Sequence, residues 1–539
     1  VGGQPRAPVS EHEELTRVAV DGLLARWESF RQAGDPATAD RRFHDWLFGE
    51  ALEQASRPET YVDPETYAGT VFACADRCGQ LARYADGVAL LRWTGEHFVP
   101  RGDDLACRVL QSTAEGLLHF ARDADLRSSA LAAISAMIGA APRGAGVRMD
   151  RTICQAMMLR AVITSVIVNR DDRQVREYVA AWRAVVSEWD GHGDPEVRAM
   201  VAESLCCQAS GLLQLDREQA ARRAFAEVLR RYGSPPGENP GLDKHVTIAE
   251  HAPGMLDAVR IPGPELKTEY LAAQRRQDRR RLRRNPIQWI QAGMPRNQMP
   301  RVLRMARWQH RMSAGMVRSW ACQGTPFVLV LRNFDLTETS GVVAEPDVLS
   351  DEYMPETFFQ HIRSATAEPV LAELAQRTHL VHVANTQSGE LEMGDMLRYR
   401  PQNRLYLPDA TWFDTVRVLV ALAEQVVVWA AEKTEPLTRE LALLSDTGRA
   451  EDTVVLLEKY EPADAVIDYV TRTRRPPGRP LTPDDPALAG FPVVLPAAEA
   501  GSDLVAGMVE LLAAAREQPT RSRIDRTRQR LADVNRSHR

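Results

Sequence analysis

The hydrophobic pattern of this chain changes at Thr325, and the change limits the folds that the chain can adopt. From Glu11 to about Tyr232, apolar residues recur at three- and four-residue spacing, which is typical of amphipathic helices. After Thr325 they form short continuous runs, beginning with residues 326–331. Such runs indicate strands that are covered on both faces of a parallel sheet. The sequence therefore predicts an all-α part followed by an α/β part.

The helices predicted before residue 233 come in pairs. The second helices of successive pairs begin near Tyr84, Asp125, Asp172 and Asp216. An offset of 43 residues aligns the last two pairs and places Trp182 on Phe225 and Val185 on Val228. Because one amphipathic hairpin cannot bury its own apolar face, such pairs must stack on one another. Residues 1–233 are therefore predicted to form a helical-repeat solenoid.

Residues 194–233 resemble a tetratricopeptide repeat. The resemblance rests on small residues in the first helix and on small and aromatic residues in the second, namely Ala202, Ala209, Gly211, Ala220, Ala224 and Phe225. The intervals between pairs are longer than the usual unit of about 34 residues, so a different helical-pair repeat stays open. The resemblance implies a platform that binds a protein or peptide partner.

The segment 234–324 is predicted to connect the two parts. Glycines and prolines between Gly233 and Pro264 indicate an irregular connection, and methionine-rich, mostly helical residues lead up to Thr325. Between them, the strongly basic stretch from Arg275 to Arg284 is either a contact for nucleic acid or an acidic partner, or a solvated helix. We favour the solvated helix, because the net charge is -6 and arginine is abundant along the whole chain. A nucleic-acid partner is not expected.

Four further apolar runs follow the first, at residues 379–384, 426–430, 453–457 and 491–495. Helical patterns separate most of them, at residues 354–377, 412–424 and 437–444, and a last helix is predicted over 503–516. Strands that alternate with helices indicate an open parallel α/β sheet. The α/β domain is therefore predicted over residues 325–516, and the arginine-rich tail, 517–539, is predicted to be a helix or a flexible end.

Ligands of open parallel sheets bind outside the carboxyl ends of the strands. The first predicted strand ends in the polar and aromatic residues Arg332, Asn333, Phe334 and Asp335. The third run leads into a helix in which Glu440 lies beside a buried stripe formed by Leu437, Leu441 and Leu444. Desolvation beside such a stripe raises the pKa of a carboxylate and suits it to proton transfer or to stabilising a developing cation. The other interpretation is an edge glutamate that pairs with a nearby arginine.

The segments TPFVLVLRNFDLTE, TWFDTVRVLVALAEQVVVWAAEKTEPLTRELALL, TVVLLEK and FPVVLP resemble the TIR-like domains that are attached to helical repeats in bacterial proteins. The resemblance covers about residues 325–516 and implies a flavodoxin-like α/β fold. In TIR domains a strand is followed by a serine and then by a glutamate, which is catalytic in the NAD-cleaving members. The corresponding positions here are Thr434 and Glu440, while Pro436 and Leu437 stand where a tryptophan and a cysteine are usual.

The resemblance also implies what the protein does. NAD would be a substrate rather than a resident cofactor, and it would contact Thr434 and the residues after the first strand, Arg332, Asn333, Phe334 and Asp335. In this hypothesis Arg332 contacts phosphate and Phe334 stacks on a base, although a salt bridge between Arg332 and Asp335 is an equal alternative. Self-association would complete the site, and the helical repeats would sense a trigger in bacterial antiphage or stress defence. The alternative is a non-catalytic adaptor whose TIR-like domain only oligomerises or docks a partner.

Other kinds of site lack their usual signals. The chain has no Gly-x-x-x-x-Gly-Lys loop, no Gly-x-Gly-x-x-Gly after a strand and no His-Glu-x-x-His. His379 and His382 would face opposite sides of a strand, so no metal site is predicted. The seven cysteines lie mostly in apolar helical surroundings and are expected to be reduced. No apolar stretch spans a bilayer and the first residues do not form a secretory signal, so the expected location is the cytoplasm.

Overall fold

A computed structural model of the chain describes residues 84–121, 126–165, 172–233, 239–263, 299–332, 367–385, 403–407, 410–430, 432–458 and 479–536, together with Ser29, Phe72, Ala75, Cys78 and Gly79. The chain divides into two compact units, residues 1–208 with 235–242 and residues 209–234 with 243–539. This division falls within a helix and not at residue 233, so the domain limits drawn from the sequence remain predictions.

The described part of the first unit is helical. Its helices are α1 (Tyr84–Phe98), α2 (Asp104–Phe120), α3 (Arg127–Ala140), α4 (Val147–Ser165), α5 (Asp172–Glu188) and the residues up to 208 of α6 (Pro195–Gln214). Side chains fix where two of them begin: Asp103 accepts a 2.8 Å hydrogen bond from the N–H of Ala106, and Asp194 accepts one of 3.1 Å from the N–H of Val197. Such caps satisfy N–H groups that have no partner within the helix.

In the described part of the first unit, helices that are close in the sequence contact one another. Helix α1 packs on α2 and α3, and α4 packs on α2, α3 and α5. The aligned residues Trp182 and Phe225 are both almost fully buried, with 2% and 1% of their surface exposed. This arrangement agrees with a helical region, whereas the helical repeat stays a prediction. Among the described residues, no helix combines the length and the apolar character needed to cross a membrane.

The second unit contains three helices before its sheet: α7 (Glu218–Tyr232), α8 (Pro240–Ala258), which belongs to this unit from residue 243, and α9 (Met299–Gln323). The sequence predicts an irregular connection between Gly233 and Pro264. This prediction is wrong for residues 240–258, which form helix α8. Pro240 is the first residue of the helix, where a missing N–H is tolerated. The side-chain oxygen of Asn239 accepts a hydrogen bond from the N–H of Gly241. Pro253 lies inside the helix, and the buried Ile248 and Met255 offset its cost.

The basic segment between Arg275 and Arg284 lies outside the described residues. Helix α9 ends at Gly324, whose φ of +61° is the left-handed conformation that stops a helix. The chain then enters the sheet. The strands are β1 (Val328–Arg332), β2 (Leu380–Asn385), β3 (Arg404–Leu407), β4 (Gln425–Ala430), β5 (Glu432–Lys433), β6 (Thr453–Leu457), β7 (Arg479–Pro480) and β8 (Val493–Pro496).

Six of these strands form a parallel sheet in the order β3-β2-β1-β4-β6-β8, and β5 pairs with β7 in a small antiparallel ribbon. The five predicted runs all form strands of the large sheet. Strand β3 was not predicted. Without β3 the order is 2-1-3-4-5, the flavodoxin-like order, and with β3 it is 3-2-1-4-5-6, the other common doubly wound order. The chain therefore has a helical region followed by a parallel α/β domain.

Both faces of the sheet are buried. On one face, α10 (Glu368–Arg377) and α13 (Ser502–Glu517) share a core with alternate strand residues such as Val330, Val427 and Leu456. The residues between these point to the opposite face and are equally buried. Helix α11 (Trp412–Leu422) connects β3 to β4, and α12 (Glu435–Asp446) connects β4 to β6. The last helix, α14 (Thr520–Arg536), packs on α11, so the tail is a helix rather than a flexible end.

Candidate functional site

The carboxyl ends of β1 and β4 lie side by side, and the sheet order reverses between them. Arg332, the last residue of β1, is in register with Trp429 of β4. From β1 the chain continues to β2 on one side, whereas β4 is followed by β6 on the other. Such a reversal opens a crevice in which doubly wound proteins bind their ligands. The candidate site is therefore this end of β1 and β4, together with the helices that begin there.

The structure describes only part of the loop that was predicted to bind NAD. Arg332 ends β1, and the structure describes its backbone but not its side chain. The predicted contacts Asn333, Phe334 and Asp335 lie outside the described residues. The roles assigned to these four residues stay predictions.

Thr434 is the residue that caps α12. It has extended backbone angles, and its hydroxyl accepts a 3.3 Å hydrogen bond from the N–H of Leu437. Its carbonyl accepts from the hydroxyl of Thr438 at 2.8 Å. Thr434 thus starts the helix that carries Glu440, because it satisfies an N–H that has no partner within the helix. Glu440 follows six residues later, about 9 Å further along the helix axis.

Glu440 lies on the buried side of α12, with only 2% of its surface exposed. It belongs to the same face as Leu437, Leu441 and Leu444, in agreement with the stripe seen in the sequence. Within the described part of the chain, no hydrogen bond or ion pair reaches its carboxyl group. Desolvation raises the pKa of Glu440 to about 8. The carboxyl group is therefore protonated at neutral pH, and the described residues offer no arginine partner for it.

Glu458 also lies at this end of the sheet, directly after β6. Its side chain accepts a 2.8 Å hydrogen bond from the indole N–H of Trp429 and a 2.6 Å bond from the N–H of Ala367, where α10 begins. Its own N–H donates to Ala430 at 2.8 Å. Glu458 thereby joins the ends of β4 and β6 to the start of α10. Glu458 is missing from the residues predicted above, although a charged residue at the end of a buried run is also what pointed to Arg332 at the end of β1.

An aromatic and arginine cluster lies where α11 and α12 begin. The guanidinium carbon of Arg439 lies 4.2 Å from the ring centre of Phe413 and 5.8 Å from that of Trp412. The ring centres of Phe413 and Trp412 lie 5.4 Å from each other. Helix α11 starts five residues after β3, so its first turn is at the same end of the sheet as the first turn of α12. No local sequence pattern relates Arg439 to the two aromatic residues, because more than twenty residues separate it from Phe413.

A small pocket exists at the other end of the sheet. Residues that precede β1 and β4, including Phe327 and Glu424, line it together with Trp320, Arg523 and Thr527. Its volume of about 10 Å³ has room for roughly one water molecule. Because it is far too small for a nucleotide, it is not the candidate site.

Among the described residues, no three His, Cys, Asp or Glu side chains are grouped so that they could hold a metal ion. The six described cysteines form no disulfide with one another, and all but Cys207 are buried. Comparison of the chain with protein-family models, curated proteins and solved structures finds no match.

Proposed function

We propose that the α/β domain is a TIR-like effector that hydrolyses NAD, with Glu440 as its catalytic carboxylate. One observation carries the proposal: a buried carboxyl group without a described partner lies on α12, which begins beside the carboxyl ends of β1 and β4. A buried glutamate with no partner is destabilising, because desolvation disfavours its charged form. Proteins retain such groups mainly where they serve chemistry.

In the proposed reaction, the bond between the nicotinamide nitrogen and C1′ of the ribose breaks. The bonding electrons leave with nicotinamide, whose ring becomes neutral, and the ribose develops positive charge. The Glu440 carboxylate stabilises this charge, and water then attacks C1′ and releases a proton. The products are nicotinamide and ADP-ribose. The cationic nicotinamide ring of bound NAD favours the ionised form of Glu440 and so lowers its raised pKa.

The protonated state of Glu440 at neutral pH fits an effector that is silent at rest. We propose that self-association of the TIR-like domain completes the site, and that the helical repeats bind the protein or peptide partner that triggers it. This role would suit bacterial defence, where uncontrolled loss of NAD would harm the cell.

The test is nicotinamide release from NAD by the purified full chain, at low concentration and under crowding that promotes self-association. Release should occur under crowding and should fall by at least about a hundredfold in Glu440→Gln. The matched control is Glu435→Gln, which alters an exposed carboxylate on the same helix. Release that persists in Glu440→Gln, or that is lost equally in Glu435→Gln, would refute the assignment.

One observation favours a second candidate, a non-catalytic adaptor that only oligomerises or docks a partner. Glu440 is almost fully buried, so NAD reaches it only if the surroundings of α12 open. If the domain is such an adaptor, the wild type and Glu440→Gln would self-associate to the same extent, and neither would consume NAD. Sedimentation of the two variants, run beside the release assay, distinguishes the candidates.

A further inference from the structure

Arg439 differs from the paired arginines of the second unit. Arg526 and Arg530, for example, both contact the carboxylate of Glu424, at 2.9 and 3.1 Å. Arg439 is exposed, and within the described residues no side chain or carbonyl accepts a hydrogen bond from it. Its contacts are the aromatic rings of Phe413 and Trp412. Stacking occupies the flat face of a guanidinium and leaves the N–H groups at its edge free to donate.

The same cluster holds two polar atoms that lack partners. The hydroxyl of Thr411 and the indole N–H of Trp412 are shielded from solvent and form no hydrogen bond with any described residue. Shielded polar atoms of this kind are uncommon in folded proteins and call for a partner. With the free edge of Arg439, the cluster offers N–H donors beside two aromatic faces.

The cluster is also in the right place for a ligand. The contact between Arg439 and Phe413 joins the first turn of α11 to the second turn of α12, and both helices begin at the carboxyl ends of the strands. This is the end at which doubly wound sheets bind ligands. Arg439 directly precedes Glu440 in the chain, although the two side chains differ in burial: Arg439 is exposed and Glu440 is buried.

We propose that Arg439, held flat on Phe413 and Trp412, is the phosphate-binding arm of a nucleotide site. The inference rests on the proposed function and deepens it, since the ligand would be the pyrophosphate of NAD or of ADP-ribose. Phosphate oxygens accept two parallel N–H bonds from a guanidinium. The aromatic rings hold the guanidinium in position before the ligand arrives, which reduces the entropy lost on binding.

The test is binding of ADP-ribose to the full chain by isothermal titration calorimetry. Because ADP-ribose lacks nicotinamide, its binding does not require Glu440. Arg439→Gln and Phe413→Leu should each weaken binding about tenfold or more, and Arg439→Lys should not restore it, because an ammonium group cannot form the two parallel bonds. Inorganic pyrophosphate should compete with ADP-ribose in the wild-type chain. The control is Arg377→Gln, which removes an exposed arginine that pairs with Glu373 on α10.

The outcomes separate this inference from NAD hydrolysis. If the wild-type chain does not bind ADP-ribose, or if Arg439→Gln and Phe413→Leu bind it as the wild type does, the inference is wrong. Binding that depends on Arg439 without any release of nicotinamide would keep the inference and remove NAD hydrolysis. If nicotinamide release depends on Glu440 but the affinity for ADP-ribose is the same with and without Arg439, NAD hydrolysis is supported and the phosphate-binding role of Arg439 is wrong. Circular dichroism of each variant shows that it folds.

Discussion

The imidazole of His310 accepts a 3.1 Å hydrogen bond from the backbone N–H of Tyr406 in β3. Among the strands that the structure describes, β3 is the last on its side of the sheet, and none of them offers this N–H an acceptor. His310 lies on α9, and its neighbour Gln309 accepts a 3.1 Å hydrogen bond from the hydroxyl of Tyr406. Helix α9 thus covers an edge strand, which would otherwise be free to pair with another chain.

Replacing His310 with alanine should destabilise the second unit by about 1–3 kcal/mol, because the buried N–H of Tyr406 loses its acceptor. His310→Asn should recover part of the loss, since its side-chain oxygen can accept the same bond. Urea unfolding measures the change, with the exposed His119→Ala as the control. An unchanged midpoint in His310→Ala would show that the bond contributes nothing.

Glu440→Gln should stabilise the protein at alkaline pH. The pKa of Glu440 is about 8 in the folded chain and about 4.3 when unfolded. Between these values the folded state holds a proton that the unfolded state has released, so stability falls as pH rises. Glutamine removes this dependence. The variant should gain roughly 4 kcal/mol at pH 8 and only about 1 kcal/mol at pH 5. Thermal melts at the two pH values measure the change, with Glu435→Gln as the control.

If Glu440 acts as a carboxylate, the rate of NAD hydrolysis should depend on its ionisation. Because the pKa of the free enzyme is about 8, kcat/KM should rise about tenfold per pH unit between pH 6 and 7.5 and level off above pH 8. The measurement is kcat/KM for nicotinamide release across this range under crowding. A profile that is flat from pH 6 to 8.5 would assign the ionising role to another group.

Replacing Glu424 should make local opening of the tail helix α14 more frequent. The Glu424 carboxylate contacts both Arg526 and Arg530, at 2.9 and 3.1 Å, and all three side chains are partly exposed. Glu424→Gln should therefore cost only about 1 kcal/mol but should speed hydrogen exchange in α14, because the arginines lose their counter-charge. Asp414→Asn, at an exposed acid 3.8 Å from Arg417, is the control. Equal exchange in both variants would contradict this role.

Replacing Gly315 and Gly507 with alanine should change the stability of the protein in opposite directions. A Cβ on Gly315 in α9 would lie 2.6 Å from the Cα of Gln214 and from the carbonyl oxygen of Leu213, so Gly315→Ala forces backbone apart. A Cβ on the exposed Gly507 in α13 would meet nothing within 4 Å. Gly315→Ala should destabilise by roughly 2 kcal/mol or more, while Gly507→Ala should stabilise by about 0.5–1 kcal/mol. Thermal melts of the pair, measured side by side, test both signs.

Local pattern was enough to predict the strands that consist of continuous apolar residues. The run at residues 326–331 and its four successors form strands because continuous apolar residues need cover on both faces. Glu440 was placed correctly beside the stripe of α12, because helical spacing alone determines which residues share a face. Helix α8 was missed, since its glycines and prolines argue against a helix and only the burial of its apolar face outweighs them.

The contacts that make the candidate site belong to the tertiary structure. Strand β3 is four residues long, and its pairing with β2 and its cover by α9 come from distant parts of the chain. The bonds of Glu458 to Trp429 and Ala367 span 29 and 91 residues, and Arg439 meets Phe413 only because α11 and α12 pack together. The sequence by itself determined which faces are buried, because burial follows from local periodicity. Which polar groups meet was decided by the packing of the sheet and its helices, because such contacts join residues that no local pattern relates.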